Sequence, residues 1–155
     1  MGKEKQFEDD YRDFIELLNK HGVEYLIIGA YAVMYHTRVA RGTKDIDLWI
    51  RHSKENSKKC ALAIKDFAGI DVKPDELIGE KEIYFIGVEP HRIDIFNRQG
   101  RFSFDEMYKR KVVADFRDVK ACFVSQEDLL VLKNYFYRKD DLKDIRRLVK
   151  SKNKY

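Results

Sequence analysis

Thr43-Lys44-Asp45-Ile46-Asp47-Leu48-Trp49-Ile50 alternates with a period of two, and it carries two carboxylates two residues apart. On a strand that period puts Asp45 and Asp47 on one face while Ile46, Leu48 and Ile50 point to the other. Like charges that close repel unless something positive sits between them. A hard divalent cation such as Mg²⁺ meets the need, because it takes carboxylate oxygens and keeps positions open for water and phosphate. An edge strand with solvated acids fits the same pattern, so the pair alone leaves both readings open.

A second acidic segment adds weight. His91-Arg92-Ile93-Asp94-Ile95-Phe96 also alternates, with Ile93 and Ile95 on one side and Arg92, Asp94 and Phe96 on the other. If it pairs beside the first strand, Asp94 stands next to Asp45 and Asp47. Three carboxylates converging from two strands can hold two metals roughly 3.5 to 4 Å apart, the arrangement that clamps attacking and leaving oxygens in phosphoryl or nucleotidyl transfer.

The segments before this pair suggest an anion site. Apolar residues at 7, 11, 14, 15, 17 and 18 predict a helix from Phe7 to Lys20, stopped by His21-Gly22. Val23 to Ile28 reads as a strand ending at Gly29, and Ala30 to Tyr35 as a helix that starts at once. A strand that feeds a helix N-terminus presents free amides to an anion. There is no Gly-Lys-Ser or Gly-Lys-Thr after Gly29, so this is not a Walker loop. Small residues at 29, 30 and 32 let phosphate approach the backbone, and they equally suit tight helix-to-sheet packing. Arg38, Arg41 and Lys44 follow in the connection to the acidic strand, where they can meet a triphosphate or lie on the surface.

Further along, Ser53 caps a predicted helix from Lys54 to about Phe67, and Gly69 ends it. Asp71 to Gly79 reads as a short strand edge and a loop, Lys81 to Val88 as a strand, and Glu89-Pro90 as the turn before the Asp94 strand. Ser103 to Glu106 fits a capping box before a short helix through Tyr108. Val112 to Phe116 and Lys120 to Val124 form a strand pair, Ser125 caps a helix reaching Phe136, and a last helix runs from about Asp140 to Val149.

At 155 residues the chain has the length of one ordinary domain, with a helical part from about 125 to 149. Polar, lysine-rich ends at 1–5 and 150–155 are the segments expected to be disordered. No apolar run approaches the roughly 20 residues that cross a bilayer, and no signal segment opens the chain, so a cytoplasmic protein without membrane contact is expected. Cys60 and Cys122 lack metal-ligand or disulfide spacing and read as reduced, buried thiols. A net charge of +4 permits a polyanion partner without demanding one, since no long basic stripe is present.

The order of these signals resembles the small nucleotidyltransferases of the DNA polymerase beta-like superfamily, especially the stand-alone type related to toxin–antitoxin and phage-abortive systems. The pieces are Ile28-Gly29-Ala30-Tyr31-Ala32-Val33, Arg41 to Leu48, Arg92-Ile93-Asp94-Ile95, Ser125 to Leu130 leading to Lys133, and the tail from Arg138 to Ile145. The resemblance implies an α+β fold, a short mixed sheet flanked by helices with further helices at the C-terminus. It implies that Asp45 and Asp47 bind Mg²⁺, and that Asp94 completes the metal site and helps activate an acceptor hydroxyl. Gly29 and Ala30 would line the triphosphate pocket, with Arg41, Lys44 and Lys133 as further nucleotide contacts. Many members carry Gly-Ser or Gly-Gly where this chain has Gly29-Ala30, so a hydroxyl that could hold phosphate is absent.

The expected reaction is attack by an acceptor hydroxyl on the α-phosphate of a nucleoside triphosphate, ATP by default, with release of pyrophosphate. The acceptor can be a small molecule, a protein hydroxyl or an RNA end, and a cognate protein partner or a homo-oligomer is compatible with the sequence. A catalytically inactive nucleotide- or partner-binding protein on the same scaffold, antitoxin-like, is the competing reading. A simple RNA-binding module is a third, without the basic-aromatic motif of a familiar RNA-binding sheet. For Lys133 an ion pair with the acids at 140, 141 or 144 competes with a substrate contact. His36 and His91 lack zinc spacing and read as structural, while Tyr31 and Trp49 either stack on a base or complete a hydrophobic wall.

Overall fold

Alternation in the strands and 3.6-residue periodicity in the helices assemble a six-stranded mixed sheet with helices packed against it, an α+β fold. The computed structural model describes residues 3–154, with side chains from Glu8 to Lys152. Helix α1 (Lys3–Lys20) leads into β1 (Tyr25–Ile28), α2 (Gly29–Thr37), β2 (Asp45–Ile50) and α3 (Lys54–Ala68). The one-turn α4 (Pro74–Leu77) precedes β3 (Ile83–Ile86) and β4 (Arg92–Phe96), then α5 (Phe104–Lys109) and the hairpin β5 (Val112–Phe116) and β6 (Val119–Phe123). Helices α6 (Gln126–Phe136) and α7 (Asp141–Lys154) close the order.

The sheet runs β3-β4-β2-β1-β6-β5. Strand β2 pairs antiparallel with β1 and parallel with β4, so the two acidic strands are neighbours. The inward side chains Ile46, Leu48, Ile93 and Ile95 are each at most 2% exposed, which fixes the register: a slip of one residue would turn the acids into the core. Trp49 is buried, edge-on to Phe104 at 5.2 Å between ring centroids. It belongs to the hydrophobic wall. Trp49→Ala should therefore destabilise the fold by about 3–5 kcal/mol, read from the denaturant midpoint, since a cavity is left where the indole packs.

Three serines expected as caps do cap: Ser53, Ser103 and Ser125 accept from the backbone amides of Asn56, Glu106 and Asp128 at 3.1, 3.2 and 3.0 Å. Two expectations need correcting. The stretch 71–79 holds a helical turn rather than a strand edge, because Pro74 has no amide for a ladder and suits the first turn of a helix, where Asp75 and Glu76 follow it and Leu77 buries its side chain. The ends are more ordered than composition suggested: α1 begins at Lys3 and α7 continues to Lys154, with Ser151 Oγ donating to the His36 carbonyl at 3.0 Å. Met1, Gly2 and Tyr155, included in the expected disordered ends, lie outside the described residues. Among the described residues no helix is long and apolar enough to cross a membrane.

Candidate active site

The parallel pairing of β2 with β4 sets Asp47 opposite Asp94 and Asp45 opposite Arg92. On the other side of β2, Ile28 at the end of β1 lies opposite Asp47, which brings Gly29 and the start of α2 to the acids. Asp45, Asp47 and Asp94 each offer one oxygen, and the three oxygens lie within 4.8 Å of one another. That donor set can hold a metal ion.

The electrostatics show how unfavourable the cluster is without a cation. Burial, then the neighbouring Asp45 and Asp94 charges, push the Asp47 carboxyl well above the usual carboxylate range. Asp45 is raised as well, again by burial first and then by Asp94. The two carboxyls hydrogen-bond each other, in an arrangement that favours the proton on Asp47. A divalent cation held by these oxygens would have to displace that proton. Its affinity is therefore expected to rise with pH up to the raised Asp47 value and then level off. Calorimetric titration in two buffers of different ionisation enthalpy should show protons released on binding, fewer as the pH increases.

One cation is already present, and it comes from the chain. Arg92 grips Asp94 with two bonds, Nε to Oδ1 at 2.6 Å and an Nη to Oδ2 at 3.0 Å, and reaches Asp45 at 3.7 Å and Glu89 at 3.5 Å. Its guanidinium also lies over the Phe85 ring at 4.1 Å from the centroid. The sequence reading placed Arg92 on the Asp94 face but gave it no role. The Arg-x-Asp spacing on one strand was the available signal, because residues two apart share a face.

Gly29 fits the site for a steric reason. Its φ is +70°, and a Cβ built there would lie 2.3 Å from Asp47 Oδ2. Ile28, the residue before α2, has no side-chain oxygen to cap the helix, so the first amides of α2 have no side-chain cap. Gly29 and Ala30 line a cleft of about 640 Å³ together with Asp45 and Asp47.

The expected cationic residues line the same cleft, each differently held. Lys44 is exposed and has no ion pair among the described residues. Arg41 forks onto Asp144 of α7, at 2.9 and 3.2 Å. Lys133 bonds Asp141 and Asp144, both at 3.0 Å, so its ion-pair alternative is realised at 141 and 144 while the side chain still lines the cleft. Its charge also acts to lower the Asp47 value. Asp144, fully buried, thus anchors two cations of the cleft from one helix. Arg38 lies over the Tyr35 ring and does not line the cleft.

Of the remaining candidates, His36 and Tyr31 make structural contacts. His36 Nε2 meets the Val124 carbonyl at 2.7 Å, and burial lowers its proton affinity. Tyr31 packs between the rings of Tyr11 and Phe116. His91 takes no part in the acidic cluster. Cys60 is buried, its thiol pushed up to about 12, whereas Cys122 is only partly buried; both are free.

The family model described as "Nucleotidyl transferase of unknown function (DUF2204)" matches residues 7–154. The chain belongs to this nucleotidyl transferase family. No curated protein matches it. Among solved structures it is similar to an antigenic nucleotidyltransferase-like protein from Paracoccidioides brasiliensis, with a TM-score of 0.55 and 13% identity, covering 95% of this chain and 75% of that one. That likeness is one of fold.

Proposed function

We propose that the protein is a Mg²⁺-dependent nucleotidyltransferase that moves a nucleoside monophosphate from a nucleoside triphosphate, ATP by default, to an acceptor hydroxyl. The observation that carries this reading is the meeting of three carboxylates at the uncapped start of α2, two of which, Asp45 and Asp47, line a cleft with Lys44, Arg41 and Lys133. The donor set suits the ion: all ligands are oxygens, the group repels itself, and an arginine already answers its negative charge.

Asp45, Asp47 and Asp94 would hold the metal. When bound, it supplies charge neutralisation and Lewis acidity at the attacking and leaving oxygens. The amides at Gly29 and Ala30 receive phosphate oxygens, with the absent side chain of Gly29 leaving room beside Asp47. Lys133 and Lys44 draw the triphosphate into the cleft, and the bonds from Asp141 and Asp144 keep Lys133 in one orientation. Asp94 takes the proton of the acceptor hydroxyl as its oxygen bonds to the α-phosphorus and the bond to the β-phosphate oxygen breaks, releasing pyrophosphate. For that, Arg92 must leave Asp94.

The same arginine favours the second reading. If Arg92 is a permanent counter-cation, the chain is an inactive, antitoxin-like relative that binds a nucleotide or a partner without turnover. Transfer from α-labelled nucleoside triphosphates, offered with protein, RNA and small-molecule hydroxyls, separates the two. Catalysis predicts Mg²⁺-dependent label transfer that Asp47→Asn and Asp94→Asn remove; equal signal in wild type and both variants overturns it.

A further inference from the structure

Beyond the triad, the cleft has an apolar section lined by Phe96 of β4 and by Leu129, Leu132 and Phe136 of α6. The three α6 residues recur at i, i+3 and i+7, one stripe of a helix. Lys133 shares that side of α6, so a ligand with its phosphates near Lys133 has its apolar part beside this stripe. Two uncharged polar side chains line the cleft: Thr43, whose Oγ1 donates to the Asp45 carbonyl at 2.9 Å, and Gln99, 4% exposed.

Gln99 is half satisfied. Its Nε2 donates to the Arg98 carbonyl at 3.1 Å, and its Oε1 has no hydrogen-bond partner among the described residues. The residue is buried, but this oxygen is not among the buried atoms left without a partner, so it stays open to accept from a ligand in the cleft. The turn that carries it is tied down. Asn97 Nδ2 donates to the Gly79 and Lys81 carbonyls, Arg98 donates to the Glu80 carbonyl at 2.6 Å, and the Phe102 amide donates to the Gln99 carbonyl. Gly100 lets the turn approach α6 so closely that a Cβ there would lie 2.9 Å from the Tyr135 ring. The amide is thus preorganised, and its orientation is set: turning it over would put its oxygen against the Arg98 oxygen.

We infer that Gln99 is the residue that selects the nucleobase, and that it selects a base whose edge carries an amino group beside a ring-nitrogen acceptor. Oε1 accepts from the amine, and the second hydrogen of Nε2 is left for the ring nitrogen. Adenine and cytosine share that edge. On the same Watson–Crick edge uracil and guanine present a carbonyl beside an N–H, which sets oxygen against Oε1. The apolar stripe covers the faces of the base, and Gln99 reads its edge.

This inference rests on the nucleotidyltransferase reading, and one set of titrations tests both. The full-length protein is titrated with ATP, CTP, GTP, UTP and purine riboside triphosphate, which lacks only the 6-amino group of ATP, each with Mg²⁺ and with EDTA. ATP or CTP should bind about tenfold more tightly, or better, than GTP and UTP, the scale of a lost amide-to-base pairing. The ATP and CTP arms say which base is preferred. If adenine is the base, purine riboside triphosphate should lose a similar factor; if cytosine, CTP alone should stand out. Gln99→Met, checked for folding by its melting curve, should bring the four nucleotides within about twofold of one another. Mg²⁺-dependent binding without base preference, or a preference that survives Gln99→Met, overturns the role of Gln99 and leaves the triad reading intact. No binding of any nucleotide with Mg²⁺ overturns both.

Discussion

Asp47→Asn is expected to abolish Mg²⁺-dependent transfer, by about 10³-fold or more, while raising the melting temperature of the metal-free protein. The two effects have one origin. Asp47 lies between Asp45 and Asp94, and burial together with those charges makes its ionised form unfavourable in the folded state. Its folded value is raised above the unfolded one, so between the two the folded chain holds more protons than the unfolded chain. Stability then falls as pH rises through that window, and above it the metal-free fold carries the full cost of ionising the group. Asparagine is nearly the same shape and has no charge to ionise, so that cost disappears. The midpoint should move up by roughly 2–4 °C for each kcal/mol of repulsion relieved in a chain of this size. Mg²⁺ should stabilise the wild type by mass action and have little effect on the variant. Melting curves at several pH values, with and without Mg²⁺, check both parts. A variant less stable than wild type at every pH would mean that Asp47 is held by favourable contacts instead.

Gly29→Ala should remove metal binding and transfer together, although alanine is the smallest side chain that can be added. At φ +70° an L-residue costs about 1–2 kcal/mol relative to glycine. The larger consequence is steric, since the new methyl would lie 2.3 Å from Asp47 Oδ2 and must drive that carboxylate out of the cluster. Gly69→Ala separates the two effects. Gly69, at the end of α3, has the same φ of +70° with nothing within 4 Å of its added Cβ, so it suffers the backbone strain alone. Both variants should melt a few degrees lower than wild type; only the Gly29 variant should lose Mg²⁺ binding in calorimetry. Equal Mg²⁺ affinity in the two would show that Gly29 serves helix packing and not the acids.

The acidic core of the site was legible because it depends on local periodicity. A repeat of two puts Asp45 and Asp47 on one face, and hydrophobic alternation in β2 and β4 leaves those strands little choice of register. Helix starts at Ser53, Ser103 and Ser125 were legible for the same reason, a local bond between a hydroxyl and an amide three residues on. The sheet order was not written in any one segment, since β1 beside β6 joins strands nearly a hundred residues apart. Arg41 was legible as a cation beside the acids, but its tether to Asp144 lies 103 residues away and came only with the fold. Arg92 was missed for a different reason. A cation two residues from an acid on a strand reads as surface charge until the acid is known to be buried, as Asp94 is. Gln99 gave no sequence signal, because a glutamine after a strand is ordinary unless a turn buries it in a cleft. Over 71–79, read as a strand edge and a loop, the telling residue is Pro74, whose missing amide excludes a ladder and favours a helical first turn.

The central claim is that Asp45, Asp47 and Asp94 bind a divalent ion beside the start of α2, with Arg92 yielding Asp94 to it. Crystals grown with Mn²⁺ and a non-hydrolysable ATP analogue test it directly. An anomalous scattering peak among the three carboxylates, with phosphate on the Gly29–Ala30 amides and the Arg92 guanidinium withdrawn from Asp94, is the expected result. A peak elsewhere, or no peak while Arg92 still grips Asp94 with both bonds, would contradict the account.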